Sequence, residues 1–348
     1  MNPSTAAGCK AHLGRRFGIR ASRPLAKSHA LPHNGAVRAF LPLLLAAAPL
    51  SAKPAPLVEL TADPVPLTTV QLKRGSLPVR VSLGFDKALI LNLAPAQGLG
   101  LKPFPLIGKF KVKNPQIPGG EAVIRGNLIS VGTAGTPTQK LPTIWIDKDV
   151  AAPPQAGIVS VMAIDADRVR VLNPRAPTGG QSFRLIRAGK GDAELKWKLG
   201  SETVRVIFDF TSEATILNAR AADALAANGL LRRTGKVGLW SPMPAVSLPV
   251  EKLEPEPGAS MQGLPLFNPA ARITRQRAQE LDARAAANIQ GDSPEDPDTI
   301  VVTAKREKEK QRDPWMLIGR DVLRFCSRVE LDRAGVAWEL TCNFPANR

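Results

Sequence analysis

The sequence predicts a mostly β chain built from two copies of one small domain, and three observations carry that expectation. First, Gly75-Ser76-x-x-Val79-Arg80-Val81-x-x-x-Phe85 returns as Gly200-Ser201-x-x-Val204-Arg205-Val206-x-x-x-Phe210, a spacing of 125 residues. After a one-residue slip, Ala88-x-Ile90-Leu91-Asn92 matches Ala214-x-Ile216-Leu217-Asn218. That period is too long for a solenoid unit and suits two similar lobes. Second, short β-branched runs alternate with Pro and Gly at roughly the 8 to 12 residue spacing of an all-β domain. Third, the proline- and glycine-containing stretch Pro174-Arg175-Ala176-Pro177-Thr178-Gly179-Gly180 separates the two copies and reads as a linker.

Taken in order, residues 57–173 form the first lobe, with strands expected at Val79–Leu83, Leu89–Leu93, Glu121–Arg125, Leu128–Val131, Thr143–Ile146, Ile158–Met162 and Val169–Leu172. Residues 174–182 are the linker. Residues 183–345 form the second lobe, with strands at Glu194–Leu199, Thr203–Phe210 and Val237–Trp240 and a C-terminal hairpin. Residues 251–313 read as a helical and low-complexity insertion in that lobe. Within it, Glu254-Pro255-Glu256-Pro257-Gly258 is a loop, and Asn268-Pro269 opens a helix that runs through Ile289 and stops at Gly291. Leu281, Ala285 and Ile289 give this helix a thin apolar face. The run Lys305 to Asp313 reads as a solvated loop or frayed helix.

The first 52 residues are compositionally different. They are rich in Lys and Arg, contain no Asp or Glu, and end in the apolar run Ala39 to Leu50 followed by Ser51-Ala52-Lys53. That run is too short to span a bilayer and has the form of the core of a secretory signal cleaved after Ala52, which implies a periplasmic or secreted protein. The basic stretch before Arg38 is long for such a leader, which makes Val37 an alternative start, and a mitochondrial-type presequence is the competing reading.

Removing the leader also removes His12, His29 and His33, the three histidines of the chain. Ser-His-Asp and Cys-His catalysis and imidazole-based zinc sites are then excluded, and acid–base work falls to carboxylates. The leader through Lys53 holds eight of the 47 basic residues and none of the 30 acidic ones, so the remainder is only moderately basic. It has no Tyr and no Lys/Arg stripe interleaved with aromatics, which argues against a nucleic-acid partner. A loose attraction to anionic membrane surface is compatible with the charge. No transmembrane span is expected in the mature chain. Neither a phosphate loop nor Cys/His metal spacing is present, so no cofactor is expected. Glu254, Glu256, Asp292, Glu295, Asp296 and Asp298 are carboxylates that would hold Ca²⁺ weakly, but proline-interrupted acidic loops are ordinarily just solvated. Cys326 and Cys342 flank the C-terminal hairpin. A register opposing Leu331 to Val336 and Val329 to Trp338 would set Phe325 against Cys342, so pairing of the two cysteines requires a bulge or a shifted turn.

The second copy contains Val206-Ile207-Phe208-Asp209-Phe210-Thr211-Ser212-Glu213-Ala214-Thr215-Ile216-Leu217, then Trp315-Met316-Leu317-Ile318-Gly319-Arg320-Asp321-Val322-Leu323, then Val329-Glu330-Leu331-Asp332-Arg333-Ala334-Gly335-Val336. Together these resemble the bacterial retropepsin-like aspartic proteases. In that family a hydrophobic strand ends in Asp-Thr/Ser-Gly-Ala, an apolar-apolar-Gly strand crosses behind it, and a closing hairpin follows. The first copy matches more faintly, through Val79 to Asp86 and Ala156-Gly157-Ile158-Val159-Ser160. The resemblance implies two retropepsin-like acid-protease lobes in one chain, arranged as in pepsin, with a peptide or protein ligand in the groove between them.

The chemistry of that family needs one carboxylate from each lobe, close enough to share a proton. Here Asp209 is the candidate, and the sequence alignment puts Gly84 at the partner position. Phe210 stands where a hydroxyl is expected and Thr211 where a glycine is. Asp86 substitutes only if the first loop slips by two residues, and a homodimer offers a second route to two carboxylates. The competing reading of Asp209 is a strand-end turn residue bonding its own loop. Two functions therefore stand side by side: an exported aspartic endopeptidase with an unusual site, and a catalytically inactive relative that binds peptides or proteins. A third class enters through Asp298-Thr299-Ile300-Val301-Val302-Thr303-Ala304, similar to the short box that outer-membrane receptors of Gram-negative bacteria present to their energy-transducing partner; its alternative is a core strand leading to Trp315. Trp240 and Trp315 read as core aromatics.

Overall fold

The computed structural model describes residues 56–113, 117–244, 246–286 and 313–345. The leader, the expected box at 298–304 and the run through Arg312 lie outside them. Strands dominate. In the first lobe, β1 (Leu57–Thr61), β2 (Leu67–Leu72), β3 (Gly75–Ser82), β4 (Leu89–Asn92), α1 (Leu93–Gly98), β5 (Lys109–Lys113), β6 (Glu121–Thr133), β7 (Gln139–Ile146), β8 (Gly157–Ser160) and β9 (Arg168–Leu172) follow one another. In the second lobe come β10 (Gln181–Ile186), β11 (Leu195–Leu199), β12 (Glu202–Phe208), β13 (Thr215–Leu217), α2 (Ala219–Ala227), β14 (Leu231–Met243), β15 (Val246–Pro255), β16 (Ser260–Met261), β17 (Leu264–Pro265), β18 (Pro269–Arg272), α3 (Arg275–Ala286), β19 (Trp315–Ile318), α4 (Arg320–Leu323), β20 (Cys326–Asp332) and β21 (Ala337–Cys342).

The two lobes repeat one strand plan. The first sheet runs β2-β3-β8-β4-β7-β6-β5 and the second β11-β12-β19-β13-β18-β15-β14. In each, the crossing strand lies between two others, parallel to the one that leads into the loop and antiparallel to the one that leaves it: β8 between β3 and β4, β19 between β12 and β13. This is the two-lobed, aspartic-protease-like architecture that the motifs imply. Alternation produces it locally. Val79 and Val81 of β3, and Val204, Val206 and Phe208 of β12, turn inward to the core, while Ser76, Pro78, Thr203 and Arg205 stay exposed. Asn218 caps α2 by accepting a hydrogen bond from the Ala221 amide at 2.9 Å.

A third sheet joins the lobes, in the order β1-β9-β20-β21-β10. At its middle the carboxylate of Glu330, fully buried, is paired with Arg168 and with Arg170, whose Nε lies 2.6 Å away. The turn of the closing hairpin sends Arg333 back to the carbonyl oxygens of Val161, Met162 and Ile164 in the first lobe. Trp338, also fully buried, donates its indole N–H to the Ala193 carbonyl at 2.6 Å and meets Phe208 edge-on at 5.7 Å.

Three sequence expectations change. The closing hairpin is shifted by two residues from the expected register, with Leu331 opposite Trp338 and Val329 opposite Leu340. A bulge at Ser327 then brings Cys326 opposite Cys342, and the two form a disulfide. A two-residue shift keeps every side chain on its own face, so alternation alone cannot detect it. The region 251–313 is not one insertion: β15 and β18 are members of the lobe's own sheet, β18 pairing in parallel with β13. What is added is the small β16–β17 hairpin between β15 and β18 and the longer segment between β18 and β19, where the first lobe has only the short connections from β6 to β7 and from β7 to β8. Finally, Pro269 begins a strand rather than a helix. The helix starts at Arg275, with Thr274 as its cap through a 3.1 Å bond from the Arg277 amide. Its Leu281 is buried, and the helix packs on β14 and β15.

Candidate functional site

Asp209 is the residue that follows β12. Its amide still donates to the Ile318 carbonyl at 3.0 Å, and the chain then turns away. The turn is tied by the Thr211 amide, which donates to Asp209 Oδ1 at 2.8 Å. Asp209 is buried, and burial is the main force pushing its carboxyl above the ordinary aspartate value. Hydrogen bonds from Thr211 and Ser82 and the charge of Arg80 oppose that shift.

The other carboxylate oxygen accepts a 2.8 Å hydrogen bond from the Ser82 hydroxyl of the first lobe. Strand register shows why these two meet. Ile90 of β4 lies opposite Ile158, and Ile216 of β13 opposite Leu317, so Ile158 and Leu317 are equivalent. Across the parallel pairs, Arg80 lies opposite Ile158 and Ile207 opposite Leu317. Arg80 therefore corresponds to Ile207, Val81 to Phe208, and Ser82 to Asp209. The turns agree: Leu72 pairs with Gly75 as Leu199 pairs with Glu202. The partner position is Ser82, not Gly84. The sequence match, set by Gly-Ser and Val-Arg-Val, is displaced by two residues, and a displacement of two leaves the inward–outward pattern intact. The available signal was Ser82 itself, a hydroxyl following two inward valines.

Gly84 serves close approach instead. A Cβ there would sit 2.9 Å from the Ile207 side chain and 3.2 Å from the Phe208 carbonyl oxygen, so the loop of one lobe rests directly on the strand of the other. Gly319 likewise lets the crossing strand pass under the loop, where a Cβ would meet the Ala214 oxygen at 2.4 Å. Asp86 is exposed, at a shallow cavity of about 270 Å³ that it shares with Arg205, Glu194 and Trp315. It is not among the partners of Asp209. A homodimeric pairing of two Asp209 side chains would need the place that Ser82 occupies.

Phe210, in the position of the family hydroxyl, is buried, and its ring forms a wall of a cavity of about 380 Å³ with Arg175, Arg320, Arg324 and Phe325. Asp321, which follows the crossing strand, is buried and accepts hydrogen bonds from the Thr215 hydroxyl at 3.0 Å and the Asn268 amide at 3.1 Å. Burial pushes its carboxyl up as well.

On the face of the second sheet that carries Ile207, the side chains Ile216, Leu317, Val250 and Ala270 form a separate apolar cluster, flanked by Trp240 and Trp315. A cavity of about 440 Å³ opens between this cluster, the loop Thr211 to Ala214 and the β14–β15 hairpin, with Lys252 and Arg320 at its margin. Trp240 therefore borders this groove, and Trp315 the separate cavity at Asp86, rather than sitting in the main core. The Arg272 guanidinium lies 6.0 Å from each of the Trp240 and Trp315 rings, and the buried indole N–H of Trp240 has no hydrogen-bond partner among the described residues. Leu239 beside it is exposed.

Among the described residues there is no group of three potential metal-binding side chains and no helix long and apolar enough to cross a membrane. Chemically, the site has one buried carboxylate held by a hydroxyl and an amide, and near it a groove of mixed polar and apolar lining bordered by Trp240. Comparison with protein-family models and with curated proteins returns no match. Among solved structures, the EIAV protease complexed with the inhibitor HBY-793 matches at 17% identity, covering 28% of this chain and 84% of that one, with a TM-score of 0.20. At that score the match carries no structural weight, and the acid-protease-like fold rests on the strand plan of the two lobes.

Proposed function

We propose that this chain is an exported peptide- or protein-binding protein, the product of an internal duplication, built on the aspartic-protease plan and without peptidase activity. One observation carries the reading: Ser82 stands where the second carboxylate would be, hydrogen-bonded at 2.8 Å to Asp209. Peptide hydrolysis by a dyad needs one carboxylate to activate water and a second, protonated one to serve the carbonyl and leaving group. An aliphatic hydroxyl does not ionise in the working range and cannot share a proton on those terms. Both oxygens of Asp209 are already engaged by the protein. The groove beside the Thr211–Ala214 loop has features of an extended-ligand site: an apolar floor of Ile216, Val250 and Ala270, one aromatic margin at Trp240 and loop backbone within reach. Export is supported by the acid-free basic leader with its short apolar run.

The test is a peptide-library digest with the purified protein between about pH 3 and 7, beside Asp209→Ala and with a statine-type analogue, followed by peptide-array binding. No cleavage is expected, and peptides bound by the parent should bind about tenfold more weakly to Trp240→Ala. Cleavage abolished both by Asp209→Ala and by the analogue would overturn the proposal in favour of an aspartic endopeptidase.

A further inference from the structure

Of the ten large apolar side chains exposed among the described residues, five crowd into one short region of the first lobe: Phe104, Leu106, Ile107, Phe110 and Leu128. Leu106 is fully exposed and Ile107 76% exposed. Leu106 also has a φ of +67°, a left-handed conformation that closes a tight turn in which the Ile107 amide donates to the Pro105 carbonyl at 2.8 Å, while the leucine side chain stays in solvent. The loop that carries them is nonetheless tied down. The Phe104 amide donates to the Gly126 carbonyl at 2.9 Å, the Gly126 amide to Gly108 at 2.8 Å, and the Asn127 side chain to the Lys102 carbonyl at 2.9 Å. Gly108 is required in this clasp, because a Cβ there would lie 2.2 Å from the Phe104 nitrogen. The apolar tip is thus held out by the backbone.

The chemistry around the tip narrows the partner. The stretch Lys102-Pro103-Phe104-Pro105-Leu106-Ile107-Gly108-Lys109-Phe110-Lys111-Val112-Lys113 has four lysines and no acidic residue. Lys111 pairs with Glu121 at 3.1 Å, with both side chains well exposed. β5 is the edge of its sheet, so this loop and strand lie at the rim of the lobe. Apolar side chains projecting from a rim, ringed by lysines, match a surface that is negatively charged outside and hydrocarbon beneath. A soluble protein partner would favour a flatter patch whose charges are paired across the interface.

We propose that the Phe104–Phe110 loop is a membrane-docking tip: Leu106, Ile107 and Phe104 enter the headgroup region of an anionic bilayer while Lys102, Lys109, Lys111 and Lys113 engage its phosphates. The site is separate from the groove beside Asp209, and the proposal does not depend on whether that groove binds peptides.

Co-sedimentation of the full chain with vesicles of phosphatidylcholine alone, and of phosphatidylcholine with phosphatidylglycerol, tests it. Binding is expected only to the anionic vesicles, weakened about tenfold by Leu106→Asp with Ile107→Asp and by Lys109→Glu with Lys111→Glu, and lost at high salt. These positions are exposed and the Lys111–Glu121 pair is a surface one, so the variants should shift the parent's thermal transition only slightly. A Phe104→Trp variant should show a blue shift of the added indole emission with anionic vesicles alone. Absence of binding to anionic vesicles, or binding indifferent to the loop substitutions, as attachment through the basic leader would give, overturns the proposal. So does a concentration-dependent dimer in sedimentation velocity that the Leu106 and Ile107 changes abolish, since that would make a second copy the partner of this patch.

Discussion

Ser82 and Asp209 show how a single side chain sets what a buried site can do. A carboxyl raised by burial binds more protons in the folded chain than in the unfolded one, so its contribution to stability falls as pH rises from the ordinary aspartate value through the raised one. Asp321, raised for the same reason, contributes with the same sign. Asp209→Asn is therefore expected to flatten part of the decline in stability between acid and neutral pH, read by urea denaturation across that range. An unchanged pH profile would mean that the carboxyl is solvated. Glu330 is a buried carboxylate set among the guanidinium groups of Arg168 and Arg170, whose outer faces reach water, with Arg328 at 3.9 Å. Glu330→Ala leaves Arg168 and Arg170 only their outer partners Glu339 and Glu59, and a loss of about 2 to 3 kcal/mol is expected, below the full cost of breaking a buried pair because the arginines are partly solvated and keep those partners.

At the level of elements, the closing hairpin does the most to hold the lobes together. Its strand β20 is the central member of the joining sheet with β21 beside it, its turn places Arg333 on first-lobe carbonyls, and its Trp338 packs against Phe208 just ahead of Asp209. The Cys326–Cys342 disulfide closes a 16-residue loop across the base of this hairpin. Loop-closure entropy gives about 3 kcal/mol for a loop of that length. Reduction, or the paired change to serine, is expected to lower stability by about that amount, measured as the shift in urea midpoint with and without reductant. The bulge at Ser327 is what makes the bond possible, since an unbroken register would set Ser327 against Cys342.

Across the whole molecule, two similar sheets meet at a point where Gly84 lies on β12 and Ser82 touches Asp209. The frame is held by core packing and by the joining sheet rather than by the Ser82–Asp209 contact alone. Placing the second carboxylate back tests this view. In Ser82→Asp two carboxyls would face each other at hydrogen-bond distance and could not both ionise. The variant is expected to be about 2 kcal/mol less stable than the parent at neutral pH and to recover much of that on acidification, as seen by denaturation at the two conditions. Equal stability at both would mean that the lobes separate there and that the contact is not fixed.

The sequence by itself determined the mostly β class, the two lobes, the inward faces of β3 and β12, and Asp209 as the residue to watch, because alternation, turn residues and a repeated motif are written in local order. It also placed all three histidines, His12, His29 and His33, in the segment that reads as a leader. The tertiary structure alone decided which residue faces Asp209, how the last hairpin is registered, and that β15 and β18 belong to the second lobe's sheet. The reason is the same in the first two cases. A strand repeats every two residues, so a slip of two costs nothing that a sequence pattern records, and only the hydrogen bonds to the neighbouring strand fix the choice. For β18, four residues beginning with a proline look like the start of a helix until β13 and β15 are seen on either side of them. Pairing between distant segments settles what local propensity leaves open.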